Sequence, residues 1–383
     1  VYYFDNAATT KNKPEKVIEA VINAMKTAGN ASRGVYNESL SSDRIIYSAR
    51  NSICKLFNAD NPRQVVFTKN STEALNIAIM GILTPSDHVI TTEMEHNSVL
   101  RPLNYLKLEG LKVDYIPMDE KGNLKYECIE DFINDDTKAI IINHSSNVIG
   151  NINDLKKIGD LCLKHKLIFI VDASQTAGSF KIDMKEMSID VLCFTGHKSL
   201  LGPQGTGGLC VSEKIEIKPF IVGGTGVQTY NEYQPDKMPT RLEAGTLNTH
   251  GIAGLIAGIE YINDNGMENL TRKSQELAKY FYESIKNFPG IKLYGDYSDH
   301  YLRSPIVAFN IMDSDSSEIS MILSDEYGIS TRPGAHCAPL LHKSFGTVDQ
   351  GMVRFSFSHS NTKEEIEVAI NAIKNIIDEI GGK

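Results

Sequence analysis

The stretch CFTGHKSLLGPQGTGGL, residues 193–209, sets Lys198 between a short apolar run and a glycine-rich loop. His197 precedes the lysine and Ser199 follows it. Three kinds of chemistry suit a lysine in that setting. A phosphate-binding loop of the G-x-x-x-x-G-K-[ST] type needs glycine directly before the lysine, and here His197 stands in that place. A solvated loop lysine is the plainest reading, since most lysines are exposed. The third is a nucleophilic amine. A lysine at a rigid strand end in a partly dry site loses part of its proton, because burial disfavours the charged form. Such an amine condenses with an aldehyde.

The third reading demands partners, and candidates for them lie along the chain. Pyridoxal phosphate acts as an electron sink when a carboxylate keeps its ring nitrogen protonated. Asp172 ends the apolar run of VDASQTAG (171–178), and Gln175 follows within reach of a ring oxygen. Ser71 and Thr72 in KNSTEALN stand where a helix N-terminus would meet a phosphate. His96 in TEMEHNSVL (92–100) falls between a strand pattern and a helix pattern, where an imidazole could stack on a ring and move protons. Each also has a plainer reading. Asp172 could be a turn former, Ser71 and Thr72 an ordinary helix cap, and His96 a loop histidine.

These residues need a frame. Apolar runs at 64–68, 87–92, 111–118, 137–144, 167–174 and 191–195 read as strands, most of them buried. Helical periodicity appears at 14–28, 70–83, 96–110 and 155–166. Such alternation predicts an α/β fold with a mostly parallel sheet covered by helices on both faces. Ligands of such sheets sit outside the carboxyl ends of the strands, where Lys198, Asp172 and His96 fall. Beyond about residue 260 the pattern changes. Helices at 267–288, 317–327 and 363–381 surround short strands near 291–294, 304–312 and 352–358. The expected organisation is a large α/β domain over 15–260 and a small α+β domain made of 1–14 with 261–383.

Composition narrows the classes of function. The chain has 383 residues, enough for about two domains. Its net charge of -9, with no long basic run, argues against nucleic acid or an anionic membrane as partner. No apolar stretch approaches a membrane span. The opening residues VYYFDNAATT lack the basic and apolar pattern of a signal peptide. The six cysteines are scattered without a C-x-x-C pair, so neither a metal site nor a disulfide framework is expected, and a reducing cytoplasmic setting is.

Taken together, FDNAATT, STEALN, EHNS, VDASQTAG, TGHKSLLGPQGTGGL, EAGTLNT and RPGAHCAPL resemble the cysteine desulfurases. These are class V aminotransferase-like enzymes that use pyridoxal phosphate, and the branch resembled is the one that includes selenocysteine lyases. The resemblance runs from residue 4 to about 375. It implies fold type I, the aspartate aminotransferase-like fold, with Lys198 carrying the cofactor. It gives Asp172 to the pyridine nitrogen, Gln175 to the ring oxygen, and His96 to stacking and acid–base work. Thr72, Thr195 and His197 bind the phosphate, with Ser71 beside them. Thr246 reaches the phosphate of the other subunit, which implies a homodimer. Asn147 and Arg354, with Arg332, form the substrate-binding set.

Cys337 then narrows the reaction. It lies in TRPGAHCAPLLHKSFG (331–346), beside Arg332 and His336. Nearby positive charge favours a thiolate, which could attack the sulfur of substrate L-cysteine. The products would be a persulfide on Cys337 and free alanine, and the sulfur would pass to an acceptor protein for iron–sulfur, thiolated-RNA or thio-cofactor synthesis. A buried structural cysteine is the plainer reading, and Cys54, Cys162, Cys193 and Cys210, which fall in helix or strand patterns, fit it. Selenocysteine or cysteine sulfinate remains open as substrate, as does a scaffold that holds the cofactor without turnover. The chain departs from relatives at Tyr36 and Ala335, where many have histidine. The short loop at Cys337 differs from the long mobile loop of the other branch, and an acceptor would have to come to it.

Overall fold

The computed structural model describes residues 1–29 and 37–381. Tyr36 lies outside the described residues.

A seven-stranded sheet forms the centre. In spatial order its strands are Val65–Thr68, Gly207–Val211, Val191–Thr195, Ile168–Asp172, Thr137–Asn143, His88–Thr92 and Lys112–Ile116. The last five run parallel. Gly207–Val211 is antiparallel to both its neighbours. Each parallel strand is a short β-branched run, and successive side chains point to opposite faces. Thus Ile140 and Ile142 join one apolar cluster with Phe169 and Val171, while Ala139 and Ile141 join the other with Ile170. Helices Ser71–Ile82 and Asn97–Lys107 cover the second face. Helices Asn37–Leu56, Leu155–His165 and Thr249–Asn265 cover the first.

Two of the helices that cover the main sheet and one of its strands were not expected from the pattern. Thr249–Asn265 carries three glycines, which normally weaken a helix. They are there for close approach: a Cβ on Gly258 would stand 2.3 Å from the Leu200 carbonyl, and one on Gly254 2.7 Å from Val21. Asn37–Leu56 has a weak apolar stripe interrupted by polar residues. The end of the glycine-rich loop proves to be a buried strand. A Cβ on Gly207 would meet the Asn70 backbone at 2.7 Å, so only glycine lets this strand slide between its neighbours.

A third apolar cluster holds Phe281, Phe309, Phe355 and Phe357 together with Phe4 from the N-terminus. It packs on a three-stranded antiparallel sheet of Ile291–Tyr294, Ile306–Ile311 and Val353–Ser356. The N-terminal strand Tyr2–Tyr3 pairs in parallel with Ile329–Ser330. The chain then runs from this body to the end of the main sheet, where Thr9 and Thr10 bond to the His197 carbonyl.

Candidate active site

In-register pairing sets Asn143 beside Asp172, and Asp172 beside Cys193, at the carboxyl ends of adjacent strands. Thr195 ends the next strand, two residues on, and Lys198 follows it. His96 caps the helix that follows the His88–Thr92 strand. These ends surround an open cleft lined by Asp172, Gln175, Thr195, His197, Lys198, His96, Ser71, Thr72 and Asn147, with Asn70, Ser98, Asn143, Ser145 and Ser174. Its place outside the carboxyl ends of parallel strands is where such a sheet takes a small-molecule ligand.

The charged groups are tuned by burial. The Lys198 amine has no hydrogen-bond partner among the described residues, and burial lowers its pKa to about 8. The Asp172 carboxylate opposes that shift, while Arg354 and Arg332 add to it. Asp172 accepts through one oxygen only, from Ser71 Oγ at 3.2 Å, the Ser174 amide at 2.9 Å and the Ser174 hydroxyl. Its Oδ2 has no partner among the described residues. His96 Nδ1 accepts from the Ser98 amide at 3.0 Å, which leaves the ring proton on Nε2. Burial holds that imidazole neutral, with a pKa near 4, and the nearby cations add to the effect against Asp172. His197 is likewise neutral, its pKa lowered to about 4 by burial and by Lys198 and Lys13. Thr195 Oγ1 is buried without a partner among the described residues.

The sequence-expected residues do not all serve alike. Ser71 spends its hydroxyl on Asp172, and Thr72 Oγ1 lies 2.8 Å from Ser98 Oγ. Asn70, not either of them, caps the helix, accepting from the Glu73 amide. The Gln175 amide donates to the Ala7 carbonyl at 3.2 Å. Thr246 is exposed and is not among the residues around its own chain's cleft. Arg332 is also exposed, and its backbone pairs with that of Arg354. Arg354 is buried just beyond the cleft. One Nη donates to Asp5 Oδ1 at 2.6 Å, the other to the Asn147 carbonyl at 2.7 Å, and Nε has no partner among the described residues. Cys337 is half-buried in a turn next to this corner. Its carbonyl accepts from the Asn97 amide at 2.7 Å, at the start of the helix that His96 caps.

Sequence reasoning missed several contributors. Asp5 reaches Arg354 across the whole length of the chain. Lys13 donates to the His197 carbonyl at 2.9 Å, and burial lowers its pKa to about 8. Glu95, next to His96, is fully buried. Its Oε1 accepts from Thr92 Oγ1 at 2.7 Å and from the Asn143 amide at 3.0 Å, and its Oε2 has no partner among the described residues. Desolvation raises its pKa to about 8. The FDNAATT motif held the signal for Asp5, but nothing local says which residue it meets. Among the described residues no helix is long and apolar enough to cross a membrane.

The sequence profile described as Aminotransferase class-V matches residues 2–368. The chain is 33% identical to a probable cysteine desulfurase of Methanothermobacter thermautotrophicus, over 98% of its own length and 94% of the relative's. It is 32% identical to the cysteine desulfurase of Haloferax volcanii, covering 97% and 88%. Among solved structures, the apo cysteine desulfurase of Thermococcus onnurineus superposes with a TM-score of 0.92 at 32% identity, covering 99% and 95%. The Escherichia coli cysteine desulfurase CsdA superposes with a TM-score of 0.89 at 28% identity, covering 98% and 94%.

Proposed function

Because the chain belongs to the class-V aminotransferases, and among them to the cysteine desulfurases, we propose the following division of labour among its residues. The enzyme takes the sulfur of L-cysteine and releases L-alanine. Pyridoxal phosphate, when bound, supplies the electron sink that weakens bonds at the amino-acid α- and β-carbons. The cleft fits that group on three counts: an amine at Lys198, a carboxylate oxygen at Asp172 and a buried hydroxyl at Thr195, all without a hydrogen-bond partner among the described residues.

Lys198 would hold the cofactor, and its low pKa suits it to give and take protons at Nζ. Asp172 Oδ2 would meet the ring nitrogen and Gln175 the ring oxygen. Thr72, Thr195 and His197, with Ser71 behind them, would receive the phosphate, joined by Thr246 from a second copy of the chain. The neutral His96 would present its Nε2 proton to the bound substrate. Arg354, with Asn147 and Arg332, would take the substrate carboxylate through charged hydrogen bonds. The Cys337 thiolate would then attack the substrate sulfur. The carbon–sulfur bond breaks, a sulfur–sulfur bond forms on Cys337, and the carbon fragment takes a proton to become alanine.

We further read the protein as a homodimer of the short-loop branch, working in the cytoplasm and handing sulfur to an acceptor protein for iron–sulfur assembly. Its division into a large domain over 15–260 and a small one of 1–14 with 261–383 is part of this reading.

The observation that carries the proposal is the set of unpartnered polar groups at adjacent strand ends around one cleft, in a chain whose full-length relatives are cysteine desulfurases. The test is incubation with L-cysteine and a reductant, measuring sulfide and alanine. Equal amounts of both are expected, and Cys337→Ala should abolish them while cofactor binding persists. Borohydride should fix the cofactor to Lys198. Labelling of a different lysine would remove the assignment of Lys198, and full turnover by Cys337→Ala would remove that of Cys337.

A further inference from the structure

The backbone around Cys337 is held in an unusual shape. His336 and Cys337 have φ of 50° and 58°, two consecutive residues in the left-handed region that L side chains rarely adopt. Gly334, with φ of 91°, precedes them. A strap bent this way stays in place only when its surroundings fix it. Its fastenings can be traced. Arg332 pairs with Arg354 through two backbone hydrogen bonds of 3.3 and 2.9 Å. The Gly334 carbonyl accepts from the Met352 amide at 3.2 Å, and the Cys337 carbonyl from the Asn97 amide at 2.7 Å. His336 Nε2 lies 3.1 Å from the Arg332 carbonyl, which fixes the proton on that nitrogen.

One fastening differs from the rest, because a side chain of the cleft makes it. The Asn147 amide Nδ2 donates to the His336 carbonyl at 2.8 Å, in a buried position. The carbonyl acceptor fixes which end of the amide faces the strap. The main-chain carbonyl of the same residue accepts from Arg354 Nη1 at 2.7 Å. Asn147 therefore touches the strap with its side chain and the buried arginine with its backbone, while lining the cleft.

We propose that Asn147 is a positioning residue for Cys337: its amide holds the strained strap against the cleft and so sets where the thiol stands. This goes beyond a carboxylate-binding role for Asn147, and its functional meaning rests on Cys337 being the sulfur-accepting thiol. Removing the amide removes the only side-chain donor from the cleft that grips the strap among the described residues. The strap then opens more often, and the thiol spends less time where substrate sulfur arrives.

The test uses two variants. Asn147→Ala deletes the amide, and Asn147→Leu deletes it while nearly keeping the volume. In the cofactor-free protein, iodoacetamide labelling of the Cys337 peptide should quicken roughly two- to ten-fold in both, the effect of one lost hydrogen bond. Hydrogen exchange should quicken over residues 332–337. In the cofactor-loaded enzyme, kcat for L-cysteine should fall in both variants, in addition to the rise in KM that follows from the lost carboxylate contact. Unchanged labelling and exchange in both variants, with a raised KM, would overturn the proposal and leave Asn147 as a carboxylate ligand alone. Labelling that quickens in Asn147→Ala but not in Asn147→Leu would also overturn it, by showing that volume and not the amide holds the strap. Because labelling is read without turnover, it stands apart from the Cys337→Ala assay that tests the assignment of the thiol. If Asn147→Ala does not fold, Asn147→Leu decides alone.

Discussion

Two buried arginine–carboxylate pairs sit at different corners of this molecule, and they are built differently. Arg50 grips Glu243 with both ends of its fork, at 2.9 and 2.7 Å. It also donates to the Val65 carbonyl and lies over the Phe67 ring. Glu243 accepts the Phe67 amide besides, at 2.8 Å. Arg354 instead splits its fork between Asp5 and the Asn147 carbonyl, and its Nε is left over. The contrast extends to the regions around them. Of the eight buried polar atoms without a partner among the described residues, four belong to Glu95, Thr195, His336 and Arg354, which line the cleft or adjoin His96 and Asn147 in its wall. Buried polar groups are normally satisfied, so such a concentration marks a place where a ligand completes the network. The Arg50 corner is finished and holds the fold. The Arg354 corner is unfinished and has donors to spare.

The largest expected effect falls at the finished corner. Arg50→Ala leaves Glu243 as an uncompensated buried charge and should cost about 3–5 kcal/mol of stability, read as a lower urea midpoint. The KM of the folded fraction should not change. A loss below about 1 kcal/mol would erase the distinction between the corners.

Next comes Glu95, whose carboxyl burial pushes up to a pKa of about 8 from an ordinary 4.5. Between these values the folded state binds the extra proton, so stability is greatest at low pH and falls as pH rises toward 8. Glu95→Gln, which mimics the neutral acid, should remove that loss. Wild type and variant should diverge by about 3–4 kcal/mol between pH 5 and pH 8, measured by denaturation of the cofactor-free protein. The buried imidazoles act in the opposite sense. His96, His144 and His197, each with a pKa lowered to about 4 mainly by burial, cost stability as pH falls from about 6.5 toward 4. Parallel pH curves for wild type and Glu95→Gln would show that this carboxyl is not held neutral.

Arg354→Lys keeps a charge opposite Asp5 but loses the fork. It should raise the KM for L-cysteine roughly ten- to hundred-fold, about 1.5–3 kcal/mol, with little change in stability. An unaltered KM would assign the substrate carboxylate to another residue. The smallest effect is expected for Thr195→Val. It replaces an unpartnered hydroxyl by a methyl, so the cofactor-free protein should be unchanged or more stable by up to about 1 kcal/mol. Retention of pyridoxal phosphate on dialysis should weaken. A clear loss of stability without cofactor would mean that Thr195 has a structural partner.

The cysteines show how far the sequence could be read. Cys54, Cys162, Cys193 and Cys210 lie in helices or strands, and burial pushes all four thiols up. Their local patterns had already indicated a packing role. Cys337 stands apart in a polar loop in both sequence and structure. The parallel strands were legible for a similar reason. A run such as Ala-Ile-Ile-Ile-Asn carries its burial in its own composition. The strand Gly207–Val211 was not, because its glycines look like loop residues until the neighbouring backbones are in place.

Local pattern put His96, Asp172, Thr195 and Lys198 at or just after strand ends in chain order, while the sheet order that sets those ends side by side came only with the fold. Side-chain periodicity and turn chemistry are local, so they survive in the linear text. Tertiary structure alone decided which groups are finished. Asp5 meets Arg354, Glu243 meets Arg50 and Asn147 meets the strap across 349, 193 and 189 residues of chain. No local propensity records a pairing over such distances, because the entropy of closing a long loop grows only slowly with its length and favours no particular partner. Burial behaves in the same way. Lys198 and Glu95 are ordinary ionisable side chains in the sequence, and only the packing around them moves both pKa values to about 8.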